Sequence, residues 1–207
     1  MTRGNNFYKT ALDRLHHYLS AHAPLTRQEF ALLLPYIEIR EFDKKVKVIR
    51  EGETERYLNI VARGLARKYL PLRNGEEATI QLATEGHIIH SELSFHNRLP
   101  SGSVVETIEP TIFFSISYDS LEELYEKIPK FERMGRLLIS QLFVKKDRRY
   151  FDQLNKSTRE RFLDYVSKHP QMMQRVPQKY LASFLNIKPE TFSRLKHLIK
   201  GKGRLTG

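Results

Sequence analysis

A chain of 207 residues with a formal net charge of +11 is long enough for one large or two small domains with real cores, and its surplus cations suit an anionic partner. It contains no cysteine, which excludes disulfides, iron–sulfur clusters, thiol redox sensing and cysteine nucleophiles together. The opening MTRGNNFYKT has neither an apolar core nor a cleavage pattern, and the hydrophobic runs are only a few residues long, so a soluble, cytoplasmic protein is expected.

Tyr8, Leu12, Leu15 and Leu19 form a helical stripe within residues 7–20. Thr26-Arg27-Gln28-Glu29 is a capping-box pattern that opens a second helix carrying Phe30, Leu33 and Leu34. His16, His17 and His22 lie in this region. Adjacent histidines point about 100° apart on a helix, so exposure is expected rather than shared metal binding.

From Ile37 the texture changes to short β-branched and alternating segments. Gly52, Gly64, Gly75 and Gly86 punctuate them at intervals of 12, 11 and 11, as the turns of an antiparallel β-roll or jelly roll require. The predicted strands are Val46–Arg50, Leu58–Arg63, Leu65–Leu72, Glu77–Thr84, His87–His90, Ser103–Ile108 and Thr111–Ser117. Asn74-Gly75 is the strongest hairpin signal in the chain.

Helical spacing returns after Tyr118. Ser120-Leu121-Glu122-Glu123 reads as another capping box, followed by Leu121, Leu124, Tyr125 and Ile128. Beyond Pro129 a long helix is predicted from about Lys130 to Leu154, roughly 37 Å in length. Phe131, Met134, Leu138 and Leu142 keep its apolar rhythm, while Leu137, Ile139 and Phe143 widen the stripe. The width suggests that one side packs on the roll and the other on a second copy; the plainer alternative is a core helix.

Asn155-Lys156-Ser157 marks a boundary, dividing the chain into 1–129, 130–156 and 157–207. Ser157-Thr158-Arg159-Glu160 is a third capping box, opening a helix with Phe162, Leu163 and Val166 that His169-Pro170 ends. Residues 157–207 hold eleven Lys/Arg against three Asp/Glu, so +8 of the excess sits in this last quarter. Within it, Tyr180, Leu181, Phe184 and Leu185 form one apolar face, and Asn186 suits a left-handed turn. Pro189 suits the first turn of a new helix, whose Phe192, Leu195 and Ile199 face inward. Glu190, Thr191, Ser193, Arg194 and Lys196 face outward. This is a helix-turn-helix whose second helix could enter a DNA major groove, although Glu190 and Arg194 could also be an ordinary i, i+4 pair.

A β-roll, a long helix and a C-terminal helix-turn-helix, in this order and size, resemble the Crp/Fnr superfamily of bacterial transcription regulators. The most specific part is Lys188–Arg194, KPETFSR. The resemblance implies an α+β fold: an N-terminal double-stranded β-helix or jelly-roll sensor domain, a long dimerisation helix and a C-terminal winged helix-turn-helix domain. It implies a homodimer on double-stranded DNA, with RNA polymerase as a further partner if the protein is an activator. Glu190 and Arg194 match the family's base-reading pair; Arg can bond guanine bidentately and a carboxylate can accept from cytosine N4. Lys179, Lys188, Thr191, Ser193 and Lys196 would position the backbone. Family members continue into a β-wing, whereas only Gly201–Gly207 remain here, read as a shortened wing or basic tail.

The sensor half departs from the cyclic-nucleotide-binding members. Ser91-Glu92-Leu93-Ser94 and Ser101-Gly102-Ser103 stand where the family holds ribose and cyclic phosphate. Glu92 and Ser103 match, and Leu93 and the nearby Arg98 complete the candidate pocket. Gly102 replaces the phosphate-binding Arg, so cyclic nucleotide is not the expected effector. Two other classes compete with this reading. A ligand- or partner-binding roll without specific DNA binding would leave the charge split unused. A cupin-like metalloenzyme would need ligands from His87, His90 and His96, but His87 and His90 fall on opposite faces of a strand. No catalytic or metal residue is therefore assigned.

Overall fold

The computed structural model describes the backbone of residues 2–202 and the side chains of residues 7–197. Ile199 and the tail beyond Lys202, both read above, lie outside the described side chains and backbone respectively. The chain begins with α1 (Thr2–Ser20) and α2 (Arg27–Leu33), followed by a 3-10 turn at Leu34–Tyr36. Thr26 caps α2 with the full capping box. His16 and His22 are not simply exposed: each is half-buried and bonds a carbonyl, Leu25 O and Tyr18 O respectively, both at 2.7 Å.

Eight strands follow: β1 (Glu38–Phe42), β2 (Lys47–Ile49), β3 (Tyr57–Arg63), β4 (Ala66–Pro71), β5 (Glu77–Ala83), β6 (Ile88–Ile89), β7 (Val104–Thr107) and β8 (Thr111–Ser117). They form two antiparallel four-stranded sheets, ordered β1-β8-β3-β6 and β2-β7-β4-β5. The four glycines at 52, 64, 75 and 86 all have positive φ, which is why the turns fall at regular intervals. Between the sheets lie Ile49, Val61, Ala66, Ala83, Ile89, Val105 and Phe113, the interior of the roll. A short helix, α3 (Glu92–Asn97), interrupts the strands and ends in Arg98 with φ of 57°.

Helix α4 (Tyr118–Lys127) starts earlier than the Ser120 capping pattern implied. Ser117, at the end of β8, is the N-cap and accepts from Ser120 N–H. Helix α5 (Pro129–Asn155) then runs 27 residues, about 40 Å, with Pro129 in its first turn. Phe131, Met134 and Leu138 pack with Leu15, Leu19, Phe30, Phe114 and Leu124 in a core formed by α1, α2, α4 and the first sheet. Burial of each such side chain contributes about 1.5–3 kcal/mol. The later part of α5 leaves that core: Ile139, Phe143, Val144, Tyr150, Phe151 and Leu154 are exposed.

The C-terminal region holds α6 (Thr158–Lys168), α7 (Met172–Arg175), α8 (Gln178–Phe184) and α9 (Pro189–Lys202). Ser157 and Glu160 make the predicted capping box. Helix α9 includes Gly201 and Lys202, so those two residues extend the helix instead of starting a wing.

Candidate functional site

The helix-turn-helix is built from local rules. Helix α8 ends at Leu185, Asn186 takes φ of 53°, and Pro189 opens α9. Phe162, Leu181, Ala182, Ile187, Phe192 and Leu195 bury one core, in which the Phe162 and Phe192 rings meet edge to face at 5.1 Å. With Phe192 and Leu195 facing inward, the helix period turns the polar side chains out. Lys179, Lys188, Glu190 and Arg194 are exposed, and Thr191, Ser193 and Lys196 are half-buried beside them. Among the described residues no ion pair joins Glu190 to Arg194. Arg194 instead donates to Thr191 Oγ1 at 3.3 Å, a weak bond. Lys179 lies 4.8 Å from the centre of the Tyr180 ring.

The helix-turn-helix is docked on the outer face of the second sheet, an arrangement sequence spacing did not reveal. Leu65 and Ile108 of the roll join the C-terminal core. Helix α8 lies against β5, the edge strand, where Thr79 N–H donates to Ser183 Oγ at 2.8 Å and Ser183 Oγ donates to Glu77 O at 3.1 Å. Arg175 is the main ionic clasp. It donates to Glu85 at 2.9 and 3.0 Å, to Glu109 at 2.7 and 3.1 Å, and to Gly64 O at 2.9 Å. Bonds to Glu109 first, and then to Glu85, raise the pKa of the Arg175 guanidinium. Partial burial would raise the Glu85 carboxyl, but its bonds with Arg175 outweigh that and lower it.

Two further arginines join the halves. Arg67, 1% exposed, bonds Glu106 at 2.8 Å and Glu77 at 2.7 Å. Its guanidinium lies 4.0 Å from the Tyr69 ring centre and 3.7 Å from that of Tyr180 on α8. Arg149 of α5 donates to Ile80 O in the β5 bulge and to Phe184 O of α8, the latter at 2.6 Å. Burial lowers its pKa to about 10.

The stretch around Ser91–Ser94 and Ser101–Ser103 is filled by its own side chains. Glu92 opens α3 and pairs through Oε2 with Lys68 Nζ, and through Oε1 with Lys146 Nζ of α5 at 3.2 Å. Lys68, on β4, is 3% exposed and also donates to His90 O at 3.0 Å. Burial alone would raise the Glu92 carboxyl, but the Lys68 ammonium leads the groups that hold it at about 2. Ser103 is buried with Ser91 and Ser101; Ser101 Oγ bonds Ser91 Oγ at 2.7 Å and Ser103 N–H at 3.1 Å. Leu93 is 78% exposed, so it points away from the filled interior. Arg98 donates to Glu55 O at 2.8 Å and lies 4.6 Å from the Tyr118 ring centre; it does not replace the cation missing at Gly102. Buried Glu55 accepts from Tyr57 N–H at 3.1 Å and Ser91 N–H at 3.3 Å, while burial raises its carboxyl pKa. His90 is buried with neither ring nitrogen partnered, and burial lowers its pKa to about 3. Lys68 and Lys146 were missed as site residues because strand and helix patterns place them on unremarkable faces, whereas His90 reads in the sequence only as a poor metal ligand.

No group of three His, Cys, Asp or Glu among the described residues is placed to hold a metal. Nor is any helix among them long and apolar enough to cross a membrane.

A β-roll carrying a docked helix-turn-helix at the end of a long helix defines the class of protein. Residues 39–128 match the family model for the cyclic nucleotide-binding domain. Most of the chain resembles solved structures of that architecture. Catabolite activator protein from Thermus thermophilus aligns at 19% identity, with a TM-score of 0.57 and coverage of 90% of this chain and 88% of the other. The c-di-GMP-responsive global regulator CLP from Xanthomonas campestris aligns at 18% identity and TM-score 0.65, covering 84% and 91%. FixK2 from Bradyrhizobium japonicum aligns at 16% identity and TM-score 0.65, covering 81% and 86%. No curated protein matches the sequence. Residues 39–128 are thus similar to the cyclic nucleotide-binding domain, and the chain shares the fold of these solved structures.

Proposed function

We propose that this chain is a sequence-specific DNA-binding transcription regulator of Crp/Fnr type, acting as a homodimer on a palindromic site. The observation that carries the reading is α9, which buries Phe192 and Leu195 while presenting Glu190 and Arg194 to solvent in the region holding +8 of the charge. Residues 1–129 form the sensor domain, 130–156 the dimerisation helix and 157–207 the DNA-binding domain. Arg194 and Glu190 read base edges; Lys179, Lys188, Thr191, Ser193 and Lys196 position the helix on phosphates. The apolar residues exposed along the second half of α5 are the face for the second copy, placing two recognition helices about 34 Å apart. The protein works in the cytoplasm, engages RNA polymerase if it activates, and has no enzymatic role.

Selection from a randomised duplex library with the purified protein tests this reading. Enrichment of a palindrome is expected, and no enrichment would overturn it. On the selected site, Arg194→Ala should cost about 1–3 kcal/mol and relax preference at one base pair. Equal loss on every sequence would reduce Arg194 to a phosphate contact. Phe143→Asp should convert dimer to monomer in sedimentation equilibrium, and an unchanged mass would remove α5 from the dimer interface.

A further inference from the structure

The sensor pocket is closed by the protein's own charges. A buried lysine is unusual in a roll interior, since an unpaired ammonium there loses its hydration with nothing to replace it. Lys68 avoids that cost through two acceptors, Glu92 Oε2 and His90 O. The second carboxylate oxygen, Oε1, is held by Lys146 from α5. Each Glu92 oxygen is therefore committed to a lysine, leaving the carboxylate unavailable to hold a ribose hydroxyl. The hydroxyls of Ser91, Ser101 and Ser103 are likewise bonded among themselves. Gly102 supplies no cation, and Arg98 faces Tyr118.

We propose that Lys68 takes the place of an effector in the roll, and that the Lys68–Glu92–Lys146 triad ties α3 to the long helix α5 without any bound ligand. A diffusible effector would link the roll to α5 only when present, whereas this triad forms within the chain itself. Lys68, buried on β4, fixes Glu92 and so α3. Lys146 is exposed, so its bridge is the weak and adjustable end. The proposal rests on the regulator reading, because it assigns the sensor domain a permanent internal signal.

The test uses the full chain and needs no DNA, so its failure is distinct from failure of the library selection. Unmodified protein is titrated calorimetrically with cyclic AMP and cyclic GMP. Amide hydrogen exchange is measured by mass spectrometry in unmodified protein, Lys68→Met and Lys146→Met. Methionine nearly matches the lysine stem, and the Glu92 carboxylate that it leaves is one-third exposed and still faces Lys146. Lys146→Met alters only an exposed group, so it tests the triad even if Lys68→Met fails to fold. The expected results are no saturable heat with either nucleotide and about tenfold faster exchange over residues 92–97 in Lys68→Met. In Lys146→Met, exchange over residues 143–150 should rise about two- to fivefold, in keeping with an exposed pair. Saturable nucleotide binding to unmodified protein overturns the proposal, as does unchanged exchange in the Lys146→Met chain.

Discussion

Arg175 offers the sharpest test of how the two halves are joined. Its guanidinium makes five bonds of 2.7–3.1 Å to Glu85, Glu109 and Gly64 O. The side chains of Arg175, Glu85 and Glu109 are 27%, 26% and 31% exposed, between a surface pair and a buried one. A charge-assisted bond contributes about 1.5–3 kcal/mol when sheltered, but five bonds from one side chain do not add independently. Removing the cation also leaves two carboxylates facing the same partly desolvated spot. Weighing these against solvent screening, Arg175→Ala is expected to cost about 3 kcal/mol. Arg175→Lys should recover only part of this, because an ammonium has three donors and lacks the planar guanidinium fork that makes all five bonds. Urea unfolding followed by far-UV circular dichroism reads the change. With an m-value of about 2 kcal/mol/M, the midpoint should fall by about 1.5 M. A fall below about 0.25 M would put the clasp in the class of surface pairs, and the reasoning from its geometry would be wrong.

Two backbone and titration tests follow from the same structure. At Gly64, φ is +101° and an added Cβ would meet Pro110 O at 2.5 Å, whereas at Gly75, φ is +80° and nothing lies within 4 Å. Gly64→Ala should therefore lose about 2–4 kcal/mol and Gly75→Ala only about 1 kcal/mol in urea unfolding, and equal losses would contradict the clash argument. His90 is buried neutral with a folded pKa of about 3 against an ordinary 6.5, so the unfolded chain binds a proton between those values that the folded chain refuses. Its stabilising effect is present above pH 6.5 and fades as pH falls toward 3, by about 2 kcal/mol between pH 6.5 and 5. His90→Gln should flatten that slope, and an unchanged slope would show that other groups set it. Further acidification should remove what Glu92 contributes, since its folded pKa of about 2 lies below the ordinary 4.5 and its effect is lost as pH falls through that window.

The parts of the fold legible in the sequence were those set by local geometry. Positive-φ glycines announced the turns, so the boundaries of β3, β5 and β8 lie within one residue of the pattern-based strands. The helix-turn-helix was legible for the same reason, since Asn186, Pro189 and the spacing of Phe192 and Leu195 act within a few residues. Strand β1 was missed: Glu38, Arg40 and Glu41 leave it largely exposed, with no β-branched run to mark it. Ser120 was misread as a cap because the hydroxyl that bonds its N–H belongs to Ser117, at the end of a strand.

The interdomain and pocket chemistry was illegible for a different reason, visible in β4. Adjacent strand residues face opposite sides, so an Arg-Lys pair in a one-sided sheet should expose at least one cation. Instead Arg67 is 1% exposed and Lys68 3%. This is possible only because both faces of the strand are covered. The roll interior encloses Lys68 with Glu92, while Tyr180 of α8 covers Arg67 on the outer face. Neither cover is encoded near residue 67: Glu92 lies 24 residues beyond Lys68, and Tyr180 comes from the C-terminal domain. The same two residues thus record both the closed pocket and the docked helix-turn-helix. A displacement of β4 would disturb Lys68 and Arg67 together, so the strand offers a short physical route from the roll interior to α8.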